Sequence, residues 1–138
     1  MLTSRLSISL CIAVLGLASG CGNAVDGYFS AQETAAQEYC DCEAPDTTAV
    51  TMCLARLDLP NDTQRQCIQD VYAANAAAMQ ENVECRTSAV DAAHTCVIEA
   101  RCGALELGAC WLRLAGDVAG CPALPADINT QITACGGW

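Results

Sequence analysis

The side chains with chemistry to offer in this chain are cysteines, one histidine and a cluster of carboxylates, and their spacing decides between uses. Past residue 39 the cysteines are Cys40, Cys42, Cys53, Cys67, Cys85, Cys96, Cys102, Cys110, Cys121 and Cys135. A zinc site wants paired C-x₂₋₄-C knuckles. Only Cys40-Asp41-Cys42 is close-set and the others are dispersed, so no metal ligands and no cofactor are expected. A thiol oxidoreductase wants C-x-x-C and a stabilised thiolate. That motif is absent, and the carboxylates of Asp41 and Glu43 would oppose a thiolate beside them. An even number of scattered cysteines instead reads as five structural disulfides, if the chain is exported. Cys40 and Cys42 are then expected to staple one helix end to two different segments.

His94 is the single histidine. General-base work needs a nucleophile within reach and an acid to orient the ring. Asp91 lies three residues earlier and Thr95 is adjacent, which makes neither a triad nor a nucleophile elbow. His94 is read as a helical residue, no catalytic residue is assigned, and the chain is not expected to be an enzyme. Glu38, Asp41, Glu43 and Asp46 are the densest acidic group. They lack the ligand spacing and turn glycine of a calcium loop, so they read as a solvated helix end.

The N-terminus fixes the compartment. Arg5 is the only charge in the first 20 residues, and an apolar run from Leu6 to Leu17 leads into Ala18, Ser19 and Gly20. These are the parts of an export signal. The run is shorter than the ~20 residues a spanning helix needs. The small residues lead directly into Cys21, and Leu17-Ala18-Ser19-Gly20-Cys21 resembles the lipobox of small cysteine-rich bacterial lipoproteins. The resemblance implies cleavage before Cys21 and its acylation. Gly22, rather than Asp, follows the cysteine, which in the lipoprotein sorting pattern implies the outer membrane. The resemblance covers the N-terminal quarter of the chain and carries no activity with it.

Composition agrees with a crosslinked, exported domain. Without residues 1–20 the chain has five Arg, no Lys and all 16 acidic residues, a net charge of −11. Nucleic acid is excluded as a partner, because binding it draws on Lys and Arg. Leu, Ile, Val and Phe make up about 17% of that part, below the ~20% at which a charged chain leans toward disorder. Disulfides are therefore expected to stabilise what a sparse apolar core does not, at ~2–4 kcal/mol each.

The elements that position these residues read as helices: Ala is abundant and strand signals are nearly missing. The expected fold class is all-α, a small disulfide-rich domain of five to six short helices. Residues 1–20 are the signal peptide, 21–29 the lipidated N-terminus and tether, and 30–138 the stapled domain. Ser30 with Glu33 forms a capping box for a first helix over 30–42. Asp46 or Thr47 opens a second that Pro60 ends, and Asn61 or Asp62 opens a third. No Gly or Pro interrupts 61–102. A break is expected near 83–87, with Ser88 and Asp91 starting a fourth helix that ends before Gly103. A fifth spans 105–115, with Trp111 as a core anchor. A sixth carries Ile128 and Ile132, and Trp138 is expected to fold back on the domain.

Cys85 and Cys96 are 11 residues apart, as are Cys110 and Cys121, close to three helical turns. A helical hairpin brings together residues equidistant from its turn. Turns near Pro60, Glu84 and Gly116 would favour Cys53–Cys67, Cys67–Cys102 and Cys110–Cys121, though Cys67 cannot serve twice.

Two functions fit. One is a noncatalytic structural or interaction module of the cell envelope, held to the membrane by its lipid and meeting an envelope protein partner. The other is a carrier of a hydrophobic ligand. Plant lipid-transfer proteins and saposins resemble the chain in architecture, although their cysteine numbers differ and the adjacent Cys-Cys pair of the former is missing here. That reading expects an apolar cavity lined by Ile68, Val71, Val97, Ile98 and Leu112.

Overall fold

The structure is a computed structural model and describes residues 23–44 and 46–138. The signal peptide expected over residues 1–20 and the lipidation expected at Cys21 lie outside the described residues. Five helices make up the domain: α1 (Ala24–Glu43), α2 (Thr47–Arg56), α3 (Asp62–Ala100), α4 (Ala104–Ala119) and α5 (Ala126–Ala134), with no strand among the described residues. The fold class is the all-α, disulfide-rich one that the sequence implied, but α3 is far from short.

α1 starts six residues earlier than the Ser30 capping signal suggests. Asn23 Oδ1 accepts the N–H of Asp26 at 2.9 Å, and the Asp26 carboxylate accepts the N–H of Asn23 at 3.0 Å. This reciprocal box opens a helix whose first turns are core: Val25 is fully buried, and Tyr28 and Phe29 nearly so. The tether expected over 21–29 is thus helix from Ala24 onward. Gly27 suggested a linker, yet the ~1 kcal/mol a helical glycine costs is outweighed by burying three large side chains around it. α2 agrees with expectation, capped by Asp46, whose side chain accepts from the N–H of Ala49 at 2.9 Å.

The break expected at 83–87 is not there. Val83 is fully buried within a continuing helix, and the Thr87 hydroxyl donates back to the Val83 carbonyl at 2.8 Å. The non-helical residue is Asn75 (φ −133°, ψ 24°), and there α3 doubles back. Arg65, on the first arm, pairs with Glu33 of α1 at 2.6 Å. Cys102, just past the second arm, is bridged to Cys42, only nine residues further along α1. A straight helix would separate Arg65 from Ala100 by ~50 Å, whereas nine residues of α1 cover ~14 Å. The arms therefore run antiparallel and then parallel to α1, which lies against both.

The second arm and α4 form a hairpin about Gly103. Cys96–Cys110 and Cys85–Cys121 close it, each pair equidistant from that glycine. Two cysteines three turns apart on one helix face two equally spaced on the next. Residues equidistant from a helical turn do pair, but about Gly103 and not about Pro60, Glu84 or Gly116. Cys67 is bonded to Cys135 and Cys53 to Cys40, so none of the three pairings favoured by spacing occurs. Cys40 and Cys42 do staple one helix end to two segments, α2 and the end of α3.

The main core joins Val25, Tyr28 and Phe29 of α1, Ile68, Tyr72, Met79 and Val83 of α3, and Ile128 and Ile132 of α5. A smaller cluster around Val97, Leu107 and Cys110 sits under the α3–α4 hairpin. Trp111 does not anchor either. It is 38% exposed and meets Tyr39 edge-on at 5.2 Å, while Leu107 and Cys110 take the interior positions.

Asn75 stands in the run Ala73-Ala74-Asn75-Ala76-Ala77-Ala78, the strongest helix former available on either side. Its Nδ2 donates to the Val71 carbonyl at 2.8 Å, satisfying an acceptor at the end of the first arm. Asn75→Ala removes that bond and extends the helical run. The expected cost is about 1 kcal/mol, read as a lower denaturant midpoint with unchanged slope; Asn75→Asp should recover little, since a carboxylate cannot donate.

Candidate functional site

Each cysteine assigned to a disulfide is in one. The bridges are Cys40–Cys53, Cys42–Cys102, Cys67–Cys135, Cys85–Cys121 and Cys96–Cys110. The described residues accordingly hold no free thiol, and no group of three or more His, Cys, Asp and Glu side chains is arranged to hold a metal. His94 is half-buried on α3. Asp41, Glu43 and Asp46 are exposed around the α1–α2 link, with Glu38 half-buried.

The five residues expected to line a ligand cavity are not brought together. Ile68 is in the main core and Val71 only borders it; Val97 belongs to the second cluster. Ile98 is 51% and Leu112 78% exposed. An apolar cavity of about 200 Å³ lies elsewhere, among Gln32, Ala35, Leu57, Val90, Trp111 and Leu114. It is smaller than the ~300–1,000 Å³ of sites that enclose drug-sized ligands. A wider groove follows the first arm of α3 past Asp62, Gln66 and Asp70 to Gln131, open along its length.

The sequence does not disclose one group of residues, a part-buried polar network between helices. Asn82, 5% exposed, donates through Nδ2 to the carbonyl of Pro122 and accepts from Arg86 Nε at 3.1 Å. The Arg86 guanidinium lies 5.2 Å over the Trp138 ring, which itself meets Tyr28 edge-on at 5.3 Å. Gln32 Nε2 donates to the Tyr28 hydroxyl at 2.8 Å. Gly136 (φ +108°) and Gly137 (φ +83°) turn the tail so that Trp138 arrives there. Positive φ of this kind belongs to glycine, and a Cβ on Gly136 would meet the side chain of Gln64. The fold-back expected of Trp138 is therefore real, and Arg86 is what it folds onto. Beyond their own i, i+4 spacing, no sequence signal marks Asn82 or Arg86, because Pro122 lies 40 residues from Asn82 and Trp138 is brought to Arg86 by the fold.

This network ties α1, α3, the α4–α5 link and the C-terminus together, and it contains no nucleophile beside a base. Its one titratable phenol is informative. Burial raises the Tyr28 pKa above the usual value, opposed by the charge of Arg86 and by hydrogen bonds from Arg86 and Gln32. The folded state thus holds the phenolic proton more tightly than the unfolded state does. Its contribution is complete below about pH 10 and is lost as pH rises from there through the raised folded value. Tyr28→Phe should flatten the alkaline fall in melting temperature, leaving the share due to Tyr39, also raised by burial and then by Glu43. Identical alkaline limbs for the two proteins would refute this.

Among the described residues no helix is long and apolar enough to cross a membrane. No family model, curated protein or solved structure matches the chain.

Proposed function

We propose that this chain is a noncatalytic module of the bacterial cell envelope. Acylated Cys21 anchors it to the outer membrane, where it serves as a structural or interaction unit. The observation that carries the reading is how close the fold begins to that cysteine. Gly22 alone separates Cys21 from Asn23, the cap of α1, and Val25 two residues on is fully buried. Three residues of chain reach ~10 Å, so the lipid would hold the first turn of α1 at the headgroup surface instead of leaving the domain on a long tether. The five bridges support the reading from the other side, since structural disulfides belong to oxidising compartments. Two or three acyl chains bind a bilayer stably, where one binds marginally.

Mass spectrometry of the native protein tests this. The expected species starts at Cys21, carries the mass of its acyl groups and has no reactive thiol. Cys21→Ala should move the protein from the membrane to the soluble fraction. A native species that is unacylated and soluble would overturn the proposal.

A further inference from the structure

We infer that the outer face of α4 is a docking surface for a second copy of this chain, in an antiparallel two-fold arrangement centred on Leu112. α4 is apolar on two sides. Its inner side places Leu107 and Cys110 in the interior, while Leu105 is 88% and Leu112 78% exposed on the outside. At 100° per residue the outward arc carries these two leucines with Gly108, Ala109, Ala115, Gly116 and Ala119, all exposed. It holds no charge over four turns, in a chain with 16 acidic side chains. Glu106, Arg113 and Asp117 all fall outside that arc, on one side of it. The exposure is not relieved by rolling the helix, because Cys110 and Cys121 fix its rotation through two bridges to α3.

The order of residues on this face indicates what covers it. Read outward from Leu112 in either direction, the positions are Ala then Gly: Ala115 and Gly116 one way, Ala109 and Gly108 the other. At the ends, Leu105 matches Ala119. A two-fold interface requires that residue i meet j and that j meet i. Antiparallel pairing about Leu112 meets that condition, setting Gly108 against Gly116 of the second copy and the bulk of Leu105 against the small Ala119. Cβ positions on Gly108 and Gly116 look into open space, so neither glycine is needed for packing within the domain. Small residues at these points let two helix axes approach closely. A lipid surface fits less well. Helices that lie in headgroups carry Lys and Arg on the polar side with large apolar residues opposite; α4 has one Arg between two carboxylates and mostly Gly and Ala on its face.

A single helix face is smaller than the ~800 Å² per partner of a standard interface, so the dimer is expected to be weak in solution, with Kd of the order of 10–100 μM. Confinement to a surface would raise the effective concentration, but the pairing itself does not depend on acylation of Cys21.

Sedimentation of the oxidised protein from about 1 μM to about 1 mM tests it. The protein should pass from monomer to dimer, and Leu112→Glu should weaken association at least ~10-fold. Met52→Glu, at a position 51% exposed on α2, should not. Leu105→Arg and Ala119→Glu should each weaken the dimer, and the double variant should recover it, because antiparallel pairing sets the new charges opposite one another. These sites are exposed, so circular dichroism should be unchanged in every variant. A monomer at all concentrations, a dimer indifferent to Leu112→Glu, or no recovery in the double variant would overturn the inference. So would binding to phosphatidylethanolamine–phosphatidylglycerol vesicles that Leu112→Glu abolishes in a protein that stays monomeric.

Discussion

Full reduction of the five bridges is expected to abolish the tertiary structure at 25 °C without abolishing the helices. Small domains are stable by ~5–15 kcal/mol in total, and each native bridge contributes ~2–4 kcal/mol. Five of them match or exceed the whole margin of a domain whose larger aliphatics are few. The unfolded chain gains freedom when bridges such as Cys42–Cys102 and Cys67–Cys135 open, since they span 60 and 68 residues. Side-chain order should disappear with them. The near-ultraviolet signals of Trp111 and Trp138 depend on ring contacts with Tyr39 and Tyr28 that only the assembled fold makes. Backbone helicity should survive in part, because residues 73–78 are nearly all Ala and favour a helix locally. Freed from its bridges, α3 has no reason to reverse at Asn75, and a straighter helix is the expected residual structure. The measurement is far- and near-ultraviolet circular dichroism with thiol titration to confirm ten free cysteines past residue 39. A near-ultraviolet spectrum and a cooperative melt unaltered by complete reduction would show that the apolar core suffices alone.

That reversal also marks the limit of what the residues disclose locally. Helix type was legible along nearly the whole chain, since Ala-rich composition, caps such as Asp46 and Asn61, and punctuation by Pro60 and Gly103 act within one turn. The pairing of Cys85 and Cys96 with Cys121 and Cys110 was legible in principle, as two equal spacings mirrored about a glycine. The Asn75 reversal was not, because local propensity there favours the opposite outcome and the contacts that override it lie on α1 and α5. The start of α1 was obscured for a similar reason. Gly27 signals a linker by itself, and only the burial of Val25, Tyr28 and Phe29 against α3 reverses that reading. Within the polar network around Arg86 only the i, i+4 pairs Asn82–Arg86 and Tyr28–Gln32 are local, and its contacts with Pro122 and Trp138 are made through tertiary structure. The anchor proposed at Cys21 rests on the resemblance of Leu17 to Cys21 to a lipobox, and those residues lie outside the described ones, so the fold does not bear on it.

Removing bridges one at a time should then separate a bridge that holds the core from one that holds an appendage. Replacing both Cys67 and Cys135 by Ala is expected to cost about 4 kcal/mol. With the other bridges intact, the loop this pair closes runs through Cys85–Cys121 and is roughly 34 residues long, for which chain entropy alone gives ~3.7 kcal/mol. The bridge also docks α5, whose Ile128 and Ile132 are 3% and 1% exposed in the main core, and it precedes the tail that delivers Trp138 to Tyr28 and Arg86. At roughly 4 °C per kcal/mol for a domain of this size, the melting temperature should fall by about 15 °C. Replacing both Cys40 and Cys53 should act differently. That bridge closes a shorter segment, and α2 contributes no buried residue. Once released, α2 can detach while the rest of the domain stays folded, so the folded state regains much of the entropy the bridge had withheld from the unfolded one. The expected global cost is ~1 kcal/mol or less, accompanied by faster proteolysis between α1 and α3. Equal losses from the two pairs, or the reverse order, would mean that α2 is integral to the cooperative unit and that α5 is its appendage.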